Sequence, residues 1–139
     1  VKKLRWAPDI IHCQGWISHF LPAYLKKAYK DDPIFSNCKI VLSLYDDMSS
    51  EKFADNTRDA ALFGNITAED IPWLARPDGI NLAKTAISYS DGVIMGSEGI
   101  PTELGNYCGE LNLPVLPFDA DALQSGKYVE DYDKFYDSL

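Results

Sequence analysis

A buried strand that turns sharply into a helix is written into Pro8 to Trp16, which reads Pro-Asp-Ile-Ile-His-Cys-Gln-Gly-Trp. A short apolar, β-branched run is broken by a polar residue and a glycine, and an aromatic then opens an amphipathic segment. Parallel strands buried on both faces have this composition, and the apolar face that follows has to pack back on the sheet. Few folds accommodate it other than an open α/β sheet. In such sheets ligands bind outside the carboxyl ends of the strands, beside helix N-termini. His12, Cys13, Gln14 and Gly15 are therefore expected at the edge of any site.

The rest of the chain repeats the strand-then-helix unit. Asp9 to Cys13 is the first strand, and residues 16 to 30 carry apolar side chains at 16, 17, 20, 21, 24, 25 and 28, a wide stripe of helical period. Pro22 lies inside that stripe and has to be absorbed in an early turn or as a kink. Asp31-Asp32-Pro33 is a turn. Lys39 to Leu44 is the second strand, and Tyr45-Asp46-Asp47 follows at its carboxyl end.

Met48 to Arg76 is polar and lacks sustained periodicity. It is expected to wander over the surface, with helical turns near Arg58–Phe63 and Ala68–Trp73. A long excursion placed directly after a strand end is more often functional than decorative. Asn81 to Ser90 reads as a helix, Val93 to Met95 as a third strand, and Ser97 to Pro101 as a turn into a helix ending near Glu110. Pro114 to Phe118 holds a fourth strand, and Val129 to Leu139 a closing helix with its stripe through Tyr132, Phe135 and Leu139. The order predicts one three-layer α/β domain over residues 1–139, a parallel sheet of about four strands covered on both faces.

With 139 residues, 46% hydrophobic and 24% charged, the chain has the composition of a globular domain able to bury a real core. A net charge of −8 argues against a nucleic-acid backbone or an anionic membrane as partner. No apolar run approaches the roughly 18 residues that span a bilayer. Cys13, Cys38 and Cys108 are odd in number and scattered, which fits reduced, buried thiols in a cytoplasmic protein. His12, Cys13, His19 and Cys38 lack the paired spacing of a zinc site, and no metal is expected. The opening Val1-Lys2-Lys3-Leu4-Arg5-Trp6 lacks an initiator Met and reads as the last turns of a helix, so the chain is expected to be the C-terminal part of something longer.

Several residues could carry chemistry, and each has a plainer reading beside it. Gly15 lets the backbone approach a ligand, Gln14 offers a donor and an acceptor, and Trp16 offers a flat face for a sugar ring. Alternatively, Gly15 only permits the turn and Trp16 only packs. His12, within the strand, favours a structural, hydrogen-bonded role. His19 faces a ligand or is an exposed or capping side chain. Tyr45-Asp46-Asp47 places paired carboxylates at a strand end, where they bind a metal, perform acid–base work or are solvated turn residues. Ser97-Glu98-Gly99 could hold an anion with a hydroxyl and backbone N–H groups, though Glu98 disfavours it. The chain has no Gly-x-Gly-x-x-Gly, Walker loop or Gly-x-Ser-x-Gly elbow.

Pro8 to Trp16, with Leu21-Pro22-Ala23-Tyr24-Leu25-Lys26, resembles the bacterial glycogen and starch synthases, in which the stretch reads P-D-[IV]-[IV]-H-x-H-[DG]-W and then L-x-P-x-Y-L-K. Asn81 to Asp91 is similar to that family's N-x-L-K-A-G-I-x-Y-A-D, and Ser97 stands at its V-S-P serine, so the likeness runs from Val1 to about Leu104. The resemblance implies a Rossmann-like fold, the second half of the N-terminal, acceptor-side domain of a two-domain GT-B enzyme. Short bacterial proteins of this family that lack the second domain are the nearest likeness.

The resemblance also implies a parent reaction, transfer of glucose from ADP-glucose to the non-reducing end of an α-1,4-glucan with retention and without a metal or other cofactor. The substrate-binding positions it points to, together with the strand-end reading, are Gln14, Gly15, Trp16, Tyr45 and Asp46. The sequence departs from the family at Gln14, where the family has a histidine that hydrogen-bonds the transferred glucose, so no catalytic residue is assigned. It departs again where Leu44-Tyr45-Asp46-Asp47-Met48 replaces V-H-N-L-x-Y-Q-G. The family's Lys-x-Gly-Gly loop lies upstream of Val1, and its nucleotide-gripping Arg, Lys and Glu belong to the second domain. The residues present are therefore expected to be inactive alone. Two functions follow: a glucosyltransferase domain, or a glucan- or nucleotide-sugar-binding module that has lost its chemistry. The sequence does not indicate an oligomeric state.

Overall fold

The computed structural model describes residues 7–46 and 52–139. Its centre is a sheet of four parallel strands in the order β1 (Ile10–Cys13), β2 (Lys39–Leu44), β3 (Gly92–Met95) and β4 (Val115–Leu116). The register sets Cys13 beside Leu42, Leu44 beside Met95 and Ile94 beside Leu116, so all carboxyl ends share one edge. β1 to β3 lie within a residue of their sequence predictions, and β4 is a two-residue strand inside Pro114 to Phe118. β2 is the clearest because five of its six residues are buried, as expected of a strand covered on both faces.

Alternation along the strands divides the core in two. Ile40, Leu42 and Leu44, with Cys13 and Val93, face α3 (Gly79–Ser88) and α4 (Thr102–Glu110), meeting Ala83, Ala86, Ile87, Leu104 and Cys108. Val41 and Ile94 face the opposite way, onto Phe135 of α6 (Tyr128–Asp137), with Ile10, Leu116, Tyr132, Tyr136 and Leu139 around them. At the amino edge Asp91 ties the strands together: its N–H donates to the Ile40 carbonyl at 2.7 Å, and its carboxylate accepts from Ile40 N–H and from Lys26, each at 2.8 Å.

The helical stretch over residues 16–28 changes winding along its length. It runs as a 3-10 segment (Trp16–Phe20), a short α1 (Leu21–Ala23) and a π segment (Tyr24–Ala28). Pro22 is absorbed in the first turn of α1, where its missing N–H costs nothing. Helix α3 begins two residues earlier than predicted because the Asp78 carboxylate accepts from Asn81 N–H at 2.8 Å and caps it. A helix absent from the sequence reading, α5 (Ala120–Ser125), is capped by Asp119 through Ala122 N–H and ends at Gly126, whose φ is 81°.

The excursion after β2 is more anchored than its polarity suggests. Its helical turns fall at α2 (Thr57–Ala60) and at a 3-10 turn (Pro72–Ala75), displaced from the predicted positions. Ala61, Ile66, Ile71 and Leu74 pack with Ala23 and Leu82 into a separate small core. Tyr24 Oη donates to the Ala61 carbonyl and Tyr89 Oη to the Asp70 carbonyl, and Lys27 pairs with Asp70 at 3.1 Å. The segment therefore lies against α3 rather than wandering freely. Val1 to Trp6 and Asp47 to Glu51, including the helix end and the second carboxylate expected from sequence, lie outside the described residues.

Candidate functional site

The β1 end carries the sharpest backbone feature. Gly15 has φ 77° and ψ 155°, a region that side chains other than hydrogen essentially never enter. A Cβ built there would meet nothing within 4 Å, so the glycine answers to backbone conformation and not to crowding. Its carbonyl accepts from Ser18 N–H at 3.1 Å and Ser18 Oγ at 2.7 Å, which starts the 3-10 segment. Gln14 is exposed beside it. Trp16 is 39% exposed, with its ring tilted 32° against Phe53 of the excursion at 6.1 Å. An open backbone, a free amide and a partly bare indole thus share one strand end.

Tyr45 and Asp46 follow β2 on the same edge, but their contacts run toward the β3 end. The Tyr45 ring lies flush against Gly96, where a Cβ would fall 2.4 Å from it. Asp46 N–H donates to Ser97 Oγ at 3.0 Å, and the Asp46 carboxylate sits against Gly99, 2.8 Å from where a Cβ would stand. The corner at Ser97-Glu98-Gly99, read from sequence as a possible anion site, is thereby occupied by a carboxylate of the chain itself. An incoming anion would meet repulsion from both Asp46 and Glu98.

The remaining sequence candidates take structural places. His12 is held at both ring nitrogens, Nε2 with Ser43 Oγ at 2.5 Å and Nδ1 with Tyr136 Oη at 2.7 Å. Burial lowers its pKa from the ordinary 6.5. His19 is buried. Cys13, Cys38 and Cys108 are free and buried, and burial pushes the Cys13 and Cys108 thiols up to about 11, so they stay protonated and poor nucleophiles. No group of three His, Cys, Asp or Glu side chains suited to a metal occurs among the described residues. No helix among them is long and apolar enough to cross a membrane.

Two features escaped the sequence reading. On the α3–α4 face Lys84, almost fully buried, bonds Glu103 and lies 4.5 Å over the Trp73 ring. Trp73 Nε1 donates to Tyr107 Oη at 3.1 Å, and Tyr107 Oη meets Ser88 Oγ at 2.7 Å. The signal was Asn81, Lys84 and Ser88, a polar stripe at helical spacing on an otherwise buried helix. The second is a cavity of about 120 Å³ at the β3 and β4 ends, between the strands and α5–α6. A shallower recess of about 410 Å³ opens beside it toward α4, with Phe118 lining both.

The model of the starch synthase catalytic domain matches residues 1–113. The chain belongs to that family. A glycogen synthase of Clostridium perfringens is 31% identical over 150 residues, covering 97% of this chain and 28% of the relative. A glycogen synthase of Vibrio parahaemolyticus is 29% identical over 121 residues, 78% of this chain and 25% of the relative. One of Thermotoga petrophila reaches 44% identity over 45 residues, 32% of this chain and 9% of the relative. The chain therefore covers 28% or less of the length of these relatives. No solved structure matches it. The likeness in sequence thus meets a parallel α/β sheet of the kind it implied, a glycogen synthase-like domain.

Proposed function

We propose that this chain is the glucan-handling lobe of a glycogen synthase-like glucosyltransferase, whose parent reaction moves glucose from ADP-glucose onto an α-1,4-glucan. The observation that carries this is the family match over residues 1–113 coupled to the bared β1 end, where Gln14, Gly15 and Trp16 stand open at the carboxyl edge. Tyr45 and Asp46 extend the same edge from the neighbouring strand end. A sugar ring stacks its C–H face on an indole and spends its hydroxyls on amide and carboxylate partners; Trp16 and Gln14 offer the first two at the β1 end, and Asp46 lies toward the β3 end.

The lobe binds and orients; it does not turn over by itself. Departure of a nucleoside diphosphate needs preorganised cationic or N–H donors for the developing charge. At this edge Ser97 Oγ accepts from the Asp46 N–H, and Asp46 and Glu98 add negative charge. Gln14 hydrogen-bonds a hydroxyl but cannot carry the charge of an imidazolium. Three buried free thiols fit a cytoplasmic, reducing setting. The whole folds as a single Rossmann-like domain, one part of a larger catalytic unit.

Gln14 at the histidine position also favours a second reading, a glucan-binding module without chemistry. Calorimetry with ADP-glucose and with maltooligosaccharides, beside incorporation of labelled glucose into glycogen, separates the two. Heat from glucan alone with no incorporation supports the module, and incorporation by the 139-residue chain alone overturns the claim that it lacks turnover. No heat from either ligand ends both readings.

A further inference from the structure

We infer that the cavity between the β3 and β4 ends and helices α5 and α6 binds a primary alkylammonium group, the group that ends a lysine side chain. It joins an aromatic corner to carboxylates that have no cation of their own. The Tyr128 and Tyr132 rings stand 5.5 Å apart at 72°, so their faces bound a corner, and Phe118 lines the cavity beside them. Ring faces carry the negative end of the aromatic quadrupole and attract a cation within about 6 Å of the centroid.

The charged side chains of the lining are Asp119 and Asp131, and neither forms an ion pair among the described residues. Asp119 Oδ1 accepts from Ala122 N–H at 3.0 Å and so caps α5. Asp131 is half-buried, and its carboxylate has no hydrogen-bond partner among the described residues. A carboxylate partly withdrawn from water beside aromatic rings is costly unless a cation pairs with it. An ammonium head supplies that charge together with three N–H donors. A phosphate would meet repulsion from both carboxylates. The net charge of −8 adds long-range attraction for a cation.

Size sets the rest of the ligand. The cavity measures about 120 Å³. That is less than the roughly 150 Å³ that holds a benzene ring, which argues against a cyclic ligand. A water molecule takes about 30 Å³ of liquid, and an ammonium head and a methylene each take about as much, so a head with about three methylenes fits. Leu116, Ala122 and Leu123 give those methylenes an apolar wall. Leu123 and Tyr128, 50% and 36% exposed, stand at the mouth, so whatever bears the alkyl chain stays outside. A tetramethylammonium head is bulkier and has no N–H to give Asp131.

The test is aromatic NMR on the intact protein at constant ionic strength. The titrants are n-butylammonium, tetramethylammonium, and the peptide acetyl-Gly-Lys-Gly-amide, unmodified or acetylated at the lysine Nζ. n-Butylammonium and the unmodified peptide are expected to shift the Tyr128 and Tyr132 ring signals saturably, with those of Tyr24 and Tyr29 unmoved. Acetylation removes the charge and should abolish the response. Asp131→Asn should weaken binding about tenfold, the effect of one lost charge-assisted hydrogen bond. Asp133→Asn, on the exposed side of the same helix and outside the lining, should leave it unchanged. Melting curves establish that the variants fold, and Tyr128→Leu, which removes one wall of the corner, serves in place of Asp131→Asn should that variant not. Tighter binding of the peptide than of n-butylammonium assigns the lysine of a partner protein, and equal or weaker binding assigns a free amine. Tetramethylammonium binding more tightly than n-butylammonium overturns the primary-ammonium assignment. An equal response to the acetylated peptide, equal losses in Asp131→Asn and Asp133→Asn, or silence at Tyr128 and Tyr132 overturns the site. The proposed function stands or falls separately, since no titrant contains a sugar.

Discussion

One face of the sheet is closed by α3 and α4 with Ala83, Ala86, Ile87, Leu104 and Cys108; the other is closed by α6 with Phe135, Tyr132, Tyr136 and Leu139. On the first, contact is almost wholly aliphatic, and the polar groups of α3 are kept at its margin in the Lys84–Glu103 and Ser88–Tyr107 pairs. On the second, His12 and Ser43 point out of the strands and reach Tyr136, so a hydrogen-bonded line crosses from sheet to helix. Aliphatic burial is strong and undirected, whereas hydrogen bonds are weak in net terms and strict about position. The α3–α4 face therefore supplies stability, and the α6 face supplies registration.

The largest effect should come from the aliphatic face. Ile87 is fully buried in the last turn of α3, and Ile87→Ala removes three carbons from a packed site. It should cost about 2–5 kcal/mol in urea unfolding. A loss under 1 kcal/mol would show that the α3 face is not the main source of stability. Next comes Gly92→Ala, where a Cβ would lie 3.0 Å from Phe135 and 3.1 Å from Leu139. Crowding of this kind costs about 1–3 kcal/mol. It should loosen α6 selectively, read as faster amide exchange in Tyr128–Asp137 with α3 unchanged.

A smaller effect tests registration itself. Tyr136→Phe keeps the ring over the sheet but deletes the hydroxyl that meets His12 Nδ1. The expected cost is about 1 kcal/mol, with the Tyr132 ring signals shifted because that ring also packs edge-on against His12 at 5.9 Å. Unchanged Tyr132 signals would mean that the aromatic packing holds α6 without the hydrogen bond.

The same contrast explains what the sequence discloses. β2 is legible because Ile40, Val41, Leu42 and Leu44 form a run, and α3 because Leu82, Ala83, Ala86 and Ile87 recur at helical spacing. The small core under the excursion is not, because Ala61, Ile66, Ile71 and Leu74 follow no period and are gathered by turns. Helix α5 carries its cap in Asp119 and its stop in Gly126, yet only Ala122 is buried, so no stripe announces it. Of the candidate site, Gly15 was visible because a turn after a strand demands it. The direction of Tyr45 and Asp46 was not, since it is set by Gly96, Ser97 and Gly99 some fifty residues away.

The smallest effect concerns pH, and it isolates the hydrogen-bonded line. Burial lowers the His12 pKa below the ordinary 6.5, so the unfolded chain binds a proton that the folded chain resists. Stability from this group is complete above 6.5 and is lost as pH falls from there through the lower folded value. The nearest perturbed carboxylate is Asp70, whose pKa is held below 3.8 first by the Thr67 backbone N–H and then by Lys27; its own loss belongs to more acid solution. Unfolding measured between pH 5 and pH 7.5 thus reads the two histidines, and the His12 variant isolates the share that belongs to His12. Ser43 Oγ and Tyr136 Oη can each accept as well as donate, so an imidazolium would keep both partners; the penalty is desolvation and not a broken bond. His12→Gln should flatten the profile across this range while lowering stability at pH 7.5. Should the variant keep the full slope of the parent, the pH dependence arises elsewhere, and His12 does no more than fill space beneath α6.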